Sequence, residues 1–439
     1  MYLTGRAALL TGLGVVPVVL LSAAAGGRAS VAWIAAGGWI LLCLALFAAD
    51  LVAAADPRTL RIARDLPARA RLGEAVPTSV IVANDGARPV HGWLRDGWQP
   101  TAAAEPARAR LEVPPGESRR IGIVLRPRRR GERRTGFVVV RSGGPLGFAG
   151  RQARRDAPGA LRVLPPFASR RHLPSRFARL RELDGSTSVQ IRGQGTEFDS
   201  LREYVRGDDV RSIDWRATAR ARTTMLRTWR PERDRHVVIV IDSGRTSAAR
   251  VGDGTRLDAA MEAALLLAAL ADRAGDHVHL VVFDRLVRAR VTGRRGQALL
   301  PAMVDALAGV EPQLIDTDWD QALGEAARLT TRPSLVVLLS ALDAASASRA
   351  LLGALPRLTA RARVIVGSVT DTGIAEAATR RSSADDIWRA AAAERTLLDA
   401  RRLADAITRL GAEAIAEGPD ELPPKVADRY LELKAAGRL

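Results

Sequence analysis

Two charge-free apolar runs open the chain, Ala7 to Ala25 and Val31 to Ala49. Each is close to the roughly 20 residues that a helix needs to cross the hydrocarbon core of a bilayer. Gly12, Gly14 and Pro17 interrupt the first run, which lipid-embedded helices tolerate, and Asp50 closes the second. The connector Gly26 to Ser30 is short, so the runs are expected to form an antiparallel transmembrane hairpin within residues 1–56. A cleaved leader is the alternative, with Arg6 as its basic start and Ser22 to Ala25 as its small-residue site. Two adjacent runs of similar length favour the hairpin. Arg6, Arg58, Arg61 and Arg64 flank one side and only Arg28 the other. The positive-inside tendency then places both termini, and all soluble parts, on the cytoplasmic side of the inner membrane, as a multi-pass protein.

With 439 residues, the chain is too long for one ordinary core. Residues 61–165 read as an antiparallel β-sandwich. Val76, Val80 and Val82 lie at even spacing, Ile121, Ile123 and Leu125 alternate, and Phe137 to Val140 is a further short strand. Turn signals at Asn84-Asp85-Gly86, Pro114-Pro115-Gly116 and Gly143-Gly144-Pro145 separate them. The basic run Arg126 to Arg130 reads as a solvated strand end, with a lipid-headgroup contact as the alternative. From His236 to the C-terminus the pattern alternates. Buried strands are expected at 236–241, 278–283, 335–339 and 363–369. Helices are expected at 257–274, 297–307, 319–329, 344–355, 384–410 and 424–436. Such alternation means a mostly parallel sheet covered by helices on both faces. Residues 167–235 join the two regions.

The formal net charge is +18, almost all of it from arginine, since only Lys425 and Lys434 are lysines. A basic balance raises a nucleic-acid-binding membrane protein as one rival. Aromatic residues are only 4% and scattered, so no stacking platform for single strands exists and no nucleic acid is expected. No phosphate-binding Gly-x-x-x-x-Gly-Lys loop is present, which argues against ATP hydrolysis by this chain. Cys43 is the only cysteine, so neither an intrachain disulfide nor a cysteine metal cage can form. His277 and His279 can share one strand face, but no third ligand lies near them in sequence.

Ligands of open α/β sheets bind at the carboxyl ends of the strands. The loop after the first buried strand reads Asp242-Ser243-Gly244-Arg245-Thr246-Ser247 and resembles the first metal loop of von Willebrand factor A domains. In that family the loop is Asp-x-Ser-x-Ser, a second loop gives a Thr and a third an Asp. Their oxygens hold a Mg²⁺ whose shell a partner's carboxylate completes. Here Asp242 matches the Asp, Gly244 stands at the first Ser, Thr246 replaces the second, and Thr317 is the second-loop Thr. Ala341 stands where the third-loop Asp belongs. Two ligands are therefore missing unless Ser243, Ser247 or Asp343 substitutes. Asp242, Thr246 and Thr317 remain as metal candidates. The expectation is a degenerate loop kept for shape or partner binding, with no cofactor required.

Upstream, Gly193 to Arg220 is dense in acids and arginines. Phe198, Leu201, Tyr204 and Val205 are spaced for one helical face, with Gly207 ending that helix and Asp208 or Asp209 capping the next. The residues Tyr204, Gly207, Asp208, Asp209, Ile213, Asp214, Trp215 and Arg220 carry a resemblance to the domain-of-unknown-function 58 (DUF58) proteins. The resemblance covers nearly the whole chain, including the paired spans, a β-rich region ending near Pro145 to Phe148, and a von Willebrand factor A-like domain over 236–439. Genes of that family commonly lie beside those of MoxR-type AAA+ ATPases. What the resemblance implies is a non-enzymatic, membrane-anchored adaptor or chaperone-like partner of such an ATPase, acting in complex assembly or envelope maturation. A membrane-bound hydrolase using carboxylates between Glu197 and Asp214 is the enzymatic rival, although the region offers no nucleophile and base pair.

Overall fold

A computed structural model of the chain describes residues 1–190, 197–206, 208–230, 235–342 and 345–439. The chain divides into two compact units, Met1–Leu164 and Pro165–Leu439.

In the first unit, the N-terminal strand β1 (Tyr2–Leu3) leads into α1 (Gly5–Leu13), α2 (Val15–Ala24) and α3 (Ala29–Ala53). Together these helices make two stretches long and apolar enough to cross a membrane. The first run is broken at Gly14, where a Cβ would lie 2.3 Å from the Trp39 ring, and Trp39 Nε1 donates to Leu10 O at 3.2 Å. Large apolar side chains such as Leu9, Val19, Leu20, Trp33, Ile34 and Leu41 point away from protein. That surface suits hydrocarbon rather than water. Asp50 does not end the second run. It lies inside α3 and is buried, and its carboxylate accepts N–H groups from Leu146, Phe148 and Ala149 at 2.7–2.8 Å. The turn after Gly144 thus replaces the water that a helix-borne carboxylate would otherwise require.

Nine further strands follow: β2 (Leu60–Asp65), β3 (Arg69–Arg71), β4 (Val76–Asn84), β5 (Val90–Trp98), β6 (Ala104–Glu105), β7 (Ala109–Val113), β8 (Ser118–Leu125), β9 (Gly131–Gly143) and β10 (Ala149–Leu164). They form one sheet in the order β1-β10-β9-β5-β7, with β3 alongside β10, and a second in the order β2-β4-β8-β6. The β structure therefore runs on past Phe148, through β10, to Leu164. Alternating residues of both sheets, among them Val80, Val82, Leu94, Ile123, Val138 and Leu161, form one buried core. Arg64 of β2 pairs with Asp96 of β5 through two 2.6 Å bonds, and both side chains are buried. Arg64 is consequently not a surface charge flanking the membrane span. Arg130 is also buried, unlike Arg126, Arg128 and Arg129, so the basic run is only partly solvated.

The second unit begins with α4 (Leu173–Gln190) and the hairpin β11 (Glu197–Glu203) and β12 (Met225–Arg230), which encloses α5 (Trp215–Ala221). The helix expected over 198–205 is a strand up to Glu203. A register shift between Phe198 and Ser200 inserts an extra residue, so apolar residues three apart no longer distinguish helix from strand. Next come β13 (His236–Asp242), the small hairpin β14 (Arg250–Val251) and β15 (Gly254–Thr255), α6 (Arg256–Arg273), β16 (His277–Phe283) and β17 (Val287–Val291). Then follow α7 (Leu299–Ala308), α8 (Trp319–Leu329), β18 (Leu335–Leu339), α9 (Ala345–Thr359), β19 (Arg363–Val369), α10 (Thr372–Thr379), α11 (Ala384–Arg409), β20 (Glu413–Glu417) and α12 (Leu422–Ala435). The main sheet runs β17-β16-β13-β18-β19-β20, parallel throughout except for β17. From Val237 to Asp242, β13 is fully buried, as a strand covered on both faces must be. Helix α6 starts on a reciprocal Thr255–Asp258 capping box and buries most of its length.

Candidate functional site

Parallel strands end together, so the loops after β13, β16 and β18 gather at one edge of the sheet. Asp242 is the last residue of β13 and is 3% exposed. Its Oδ1 accepts the Gly244 N–H at 2.7 Å and the Thr317 hydroxyl at very short range. Its Oδ2 accepts the Ser340 hydroxyl at 2.6 Å and, more weakly, the Thr246 hydroxyl at 3.5 Å. The structure thus brings together Asp242, Thr246 and Thr317 and adds Ser340, which directly precedes Ala341. Ser247 donates to the Asp242 backbone carbonyl at 2.6 Å, not to its carboxylate. Ser243 turns to a second carboxylate, Asp284, at 3.1 Å. Asp343 lies outside the described residues.

Asp284 follows β16 as Asp242 follows β13. It is fully buried and accepts from Arg288 Nε at 2.6 Å and from the N–H groups of Arg285 and Leu286. Burial works against its charge, yet Arg288, the two N–H groups and Ser243 hold the carboxyl below its ordinary range. For Asp242 the balance reverses: burial pushes the carboxyl up, against hydrogen bonds from Ser340, Thr317, Gly244 and Thr246.

Among the described residues, the Thr317, Ser340 and Thr246 hydroxyls close directly on the Asp242 carboxylate. A Cβ at Gly244 would lie 2.3 Å from Thr317 Oγ1, 2.9 Å from Ile315 O and 3.0 Å from Asp242 Oδ1, so the loops pack closely around position 244. The second carboxylate, Asp284, is engaged by Arg288. Among the described residues no group of three or more His, Cys, Asp or Glu side chains is placed to hold a metal. Both carboxylates are buried, Asp242 at 3% exposure and Asp284 at 0%.

What the loops expose is apolar and charged, with Asp316 at the surface as well as arginines. Leu314 is 78% and Leu286 62% exposed, and Arg245 and Arg285 lie at the surface beside them. The loops are tied to one another by Gln313 N–H to Ser243 O at 2.7 Å, Arg245 N–H to Ile315 O at 2.8 Å, and an Arg245–Asp316 pair at 2.9 Å. The rim is therefore pre-formed.

The signature residues take structural roles in the β11–β12 hairpin. Asp208 accepts from Arg202 at 2.7 Å and from Val205 N–H at 3.0 Å. Asp209 caps the turn Val210–Ser212. Asp214 caps α5 and pairs with Arg227 at 2.6 Å, contacts that hold its carboxyl below the usual range. Tyr204 N–H bonds Thr224 O, Ile213 bridges to Leu226, and Trp215 and Arg220 are exposed. Gly207 lies outside the described residues. At the opposite edge of the main sheet, His236 joins the His277 and His279 pair, with His236 Nδ1 2.9 Å from His279 Nε2. Burial, with His236 and His277 beside it, lowers the His279 pKa to about 4, so the His279 ring is neutral at pH 7.

Residues 200–376 match the model of the family described as protein of unknown function DUF58. Uncharacterized proteins of Mycobacterium tuberculosis and Mycobacterium bovis are 26% identical over 160 residues, 36% of this chain and 50% of theirs. The chain thus matches about half the length of these curated relatives. Among solved structures, an aerotolerance-related membrane protein of Bacteroides fragilis, crystallised with multiple mutations to serine, aligns with a TM-score of 0.28 and 13% identity. That alignment covers 45% of this chain and 98% of that one. A CARDB domain from Pyrococcus furiosus, solved with di-metal ions, aligns at 0.19 and 13%, covering 26% of this chain and 91% of that one. Neither likeness is close enough to assign a fold.

Proposed function

We propose that this chain is a membrane-anchored docking module, an adaptor or chaperone-like protein, that holds a protein partner on the strand-end loops around Asp242. One observation carries the reading. The central carboxylate is sealed by its own chain, while Leu314, Leu286, Arg245 and Arg285 are presented outward on tied loops. Exposed leucines on a rigid rim suit a partner surface with an apolar centre, and Arg245, Arg285 and Asp316 offer it charge of both signs. The mostly parallel six-stranded sheet, with the Asp242 loop at its carboxyl edge, supports reading this unit as von Willebrand factor A-like with a degenerate, metal-free loop. The two apolar helices support anchorage in the inner membrane, with both units facing the cytoplasm.

The partner we propose is a MoxR-type AAA+ ATPase, which would supply the ATP-driven remodelling in complex assembly or envelope maturation. The test is binding of the purified ATPase to the full chain. The double variant Leu286→Glu/Leu314→Glu should weaken binding at least about tenfold, since truncating or reversing central anchors costs roughly 2 kcal/mol or more. Binding should survive a chelator. A wild-type chain that does not bind the ATPase, or a folded double variant that binds normally, would remove the reading.

A further inference from the structure

The β11–β12 hairpin carries a second surface that strand-end docking leaves unused. Asp208, Asp209 and Asp214 are engaged by Arg202, by the turn at Val210, and by Arg227 with the start of α5. What stays outside is mostly apolar and basic, although Asp209 also reaches the surface. Val205 and Val210 are each 61% exposed and Trp215 is 70% exposed, among the surface guanidinium groups of Arg206, Arg211, Arg216 and Arg220. On α5 the exposed positions Trp215, Arg216, Ala219 and Arg220 recur at the spacing of one helical face. Glu203 also stays at the surface. A two-stranded sheet is marginal by itself, so a hairpin with this much exposed apolar surface gains from a cover.

We infer that this face rests on an anionic phospholipid surface. Tryptophan and arginine side by side, with aliphatic side chains between them, is the composition of segments that lie in the headgroup layer. The excess of exposed arginines over the acids Glu203 and Asp209 suits an anionic plane. The chain also carries two helices long and apolar enough to cross a membrane. A bilayer held by the same chain is present at high effective concentration, so a weak contact suffices. The inference does not depend on the strand-end docking reading.

The test uses the full chain reconstituted in phosphatidylcholine vesicles, with or without phosphatidylglycerol, whose acyl chains carry bromine as a contact quencher. Subtracting the emission of Trp215→Phe from that of the wild type isolates Trp215. Its emission should be lost in the vesicles containing phosphatidylglycerol and retained in phosphatidylcholine alone. Charge reversal at Arg211, Arg216 and Arg220 to Glu should restore it. The vesicle comparison needs only Trp215→Phe, so misfolding of the triple variant would leave the question decidable. Trp215 emission untouched by bromine in both vesicles overturns the contact, as does equal quenching in both or quenching that survives charge reversal in a folded variant. Oligonucleotide binding through the same arginines, without lipid quenching, overturns it in favour of nucleic acid.

Discussion

A methyl group at position 244 would lie 2.9 Å from the Ile315 backbone oxygen and 2.3 Å from Thr317 Oγ1, so glycine favours the close approach of the strand-end loops. Closure leaves Asp242 buried under Thr317 and Ser340, and burial raises its carboxyl above the ordinary range. The consequence for stability has a definite sign. Unfolded, the group titrates near about pH 3.9. Folded, it holds its proton to a higher pH, so the native state binds more protons across the interval between the two values, and stability falls as pH rises through it. Asp242→Asn cannot ionise and should flatten that fall. Thermal melts from pH 3.5 to 7, in steps of about half a unit around the unfolded value, should show the variant gaining on the wild type as pH rises. A gap independent of pH would mean that folding leaves the Asp242 carboxyl unshifted. Asp242 and Thr246 were legible because an acid and hydroxyls at fixed spacing after a buried strand form a pattern, and Thr317 because the resemblance to von Willebrand factor A domains implies a second-loop threonine. Ser340 and Asp284 were not, since their roles depend on which strands lie side by side.

At the scale of elements, burial decides what the sequence can reveal. Strand β13, an unbroken apolar run, and strands β18 and β19 are plain from composition because both their faces are covered. The edge strands β17 and β20 are short and partly exposed, carry Arg or Glu among their apolar residues, and go unread. In β11 a bulge blurs the period, and Asp50 inside α3 depends on N–H donors about a hundred residues away. Val238 lies at the centre of the main sheet with no exposed surface, packed in a core that includes Val336, Leu338 and Val366. Val238→Asp places an unpaired carboxylate there, at a cost on the order of several kcal/mol, comparable with a domain's whole stability. The variant should lose the cooperative melt of the second unit. An unchanged melt would show that β13 is not the central strand. In the first unit, Asp96→Ala would strand the buried Arg64 and should cost roughly 3–5 kcal/mol, read as a shift of its denaturation midpoint.

At the scale of the whole molecule, the account joins two apolar helices to a β-sandwich and a mostly parallel α/β unit. Orientation was inferred from arginines flanking the spans, and of these Arg64 is paired internally with Asp96. Arg58 and Arg61 remain exposed on that side. A reporter fused after Leu439 should be active only as a cytoplasmic type, and periplasmic-type activity there would invert the topology. The central claim is that the loops around Asp242 form a docking face for a protein partner. Hydrogen–deuterium exchange of the full chain, with and without the purified MoxR-type ATPase, addresses it most directly. The account predicts slowed exchange at Arg245–Ser247, Arg285–Arg288 and Gln313–Thr317 in the complex. A stable complex that leaves all three loops unchanged while protecting another surface would contradict it.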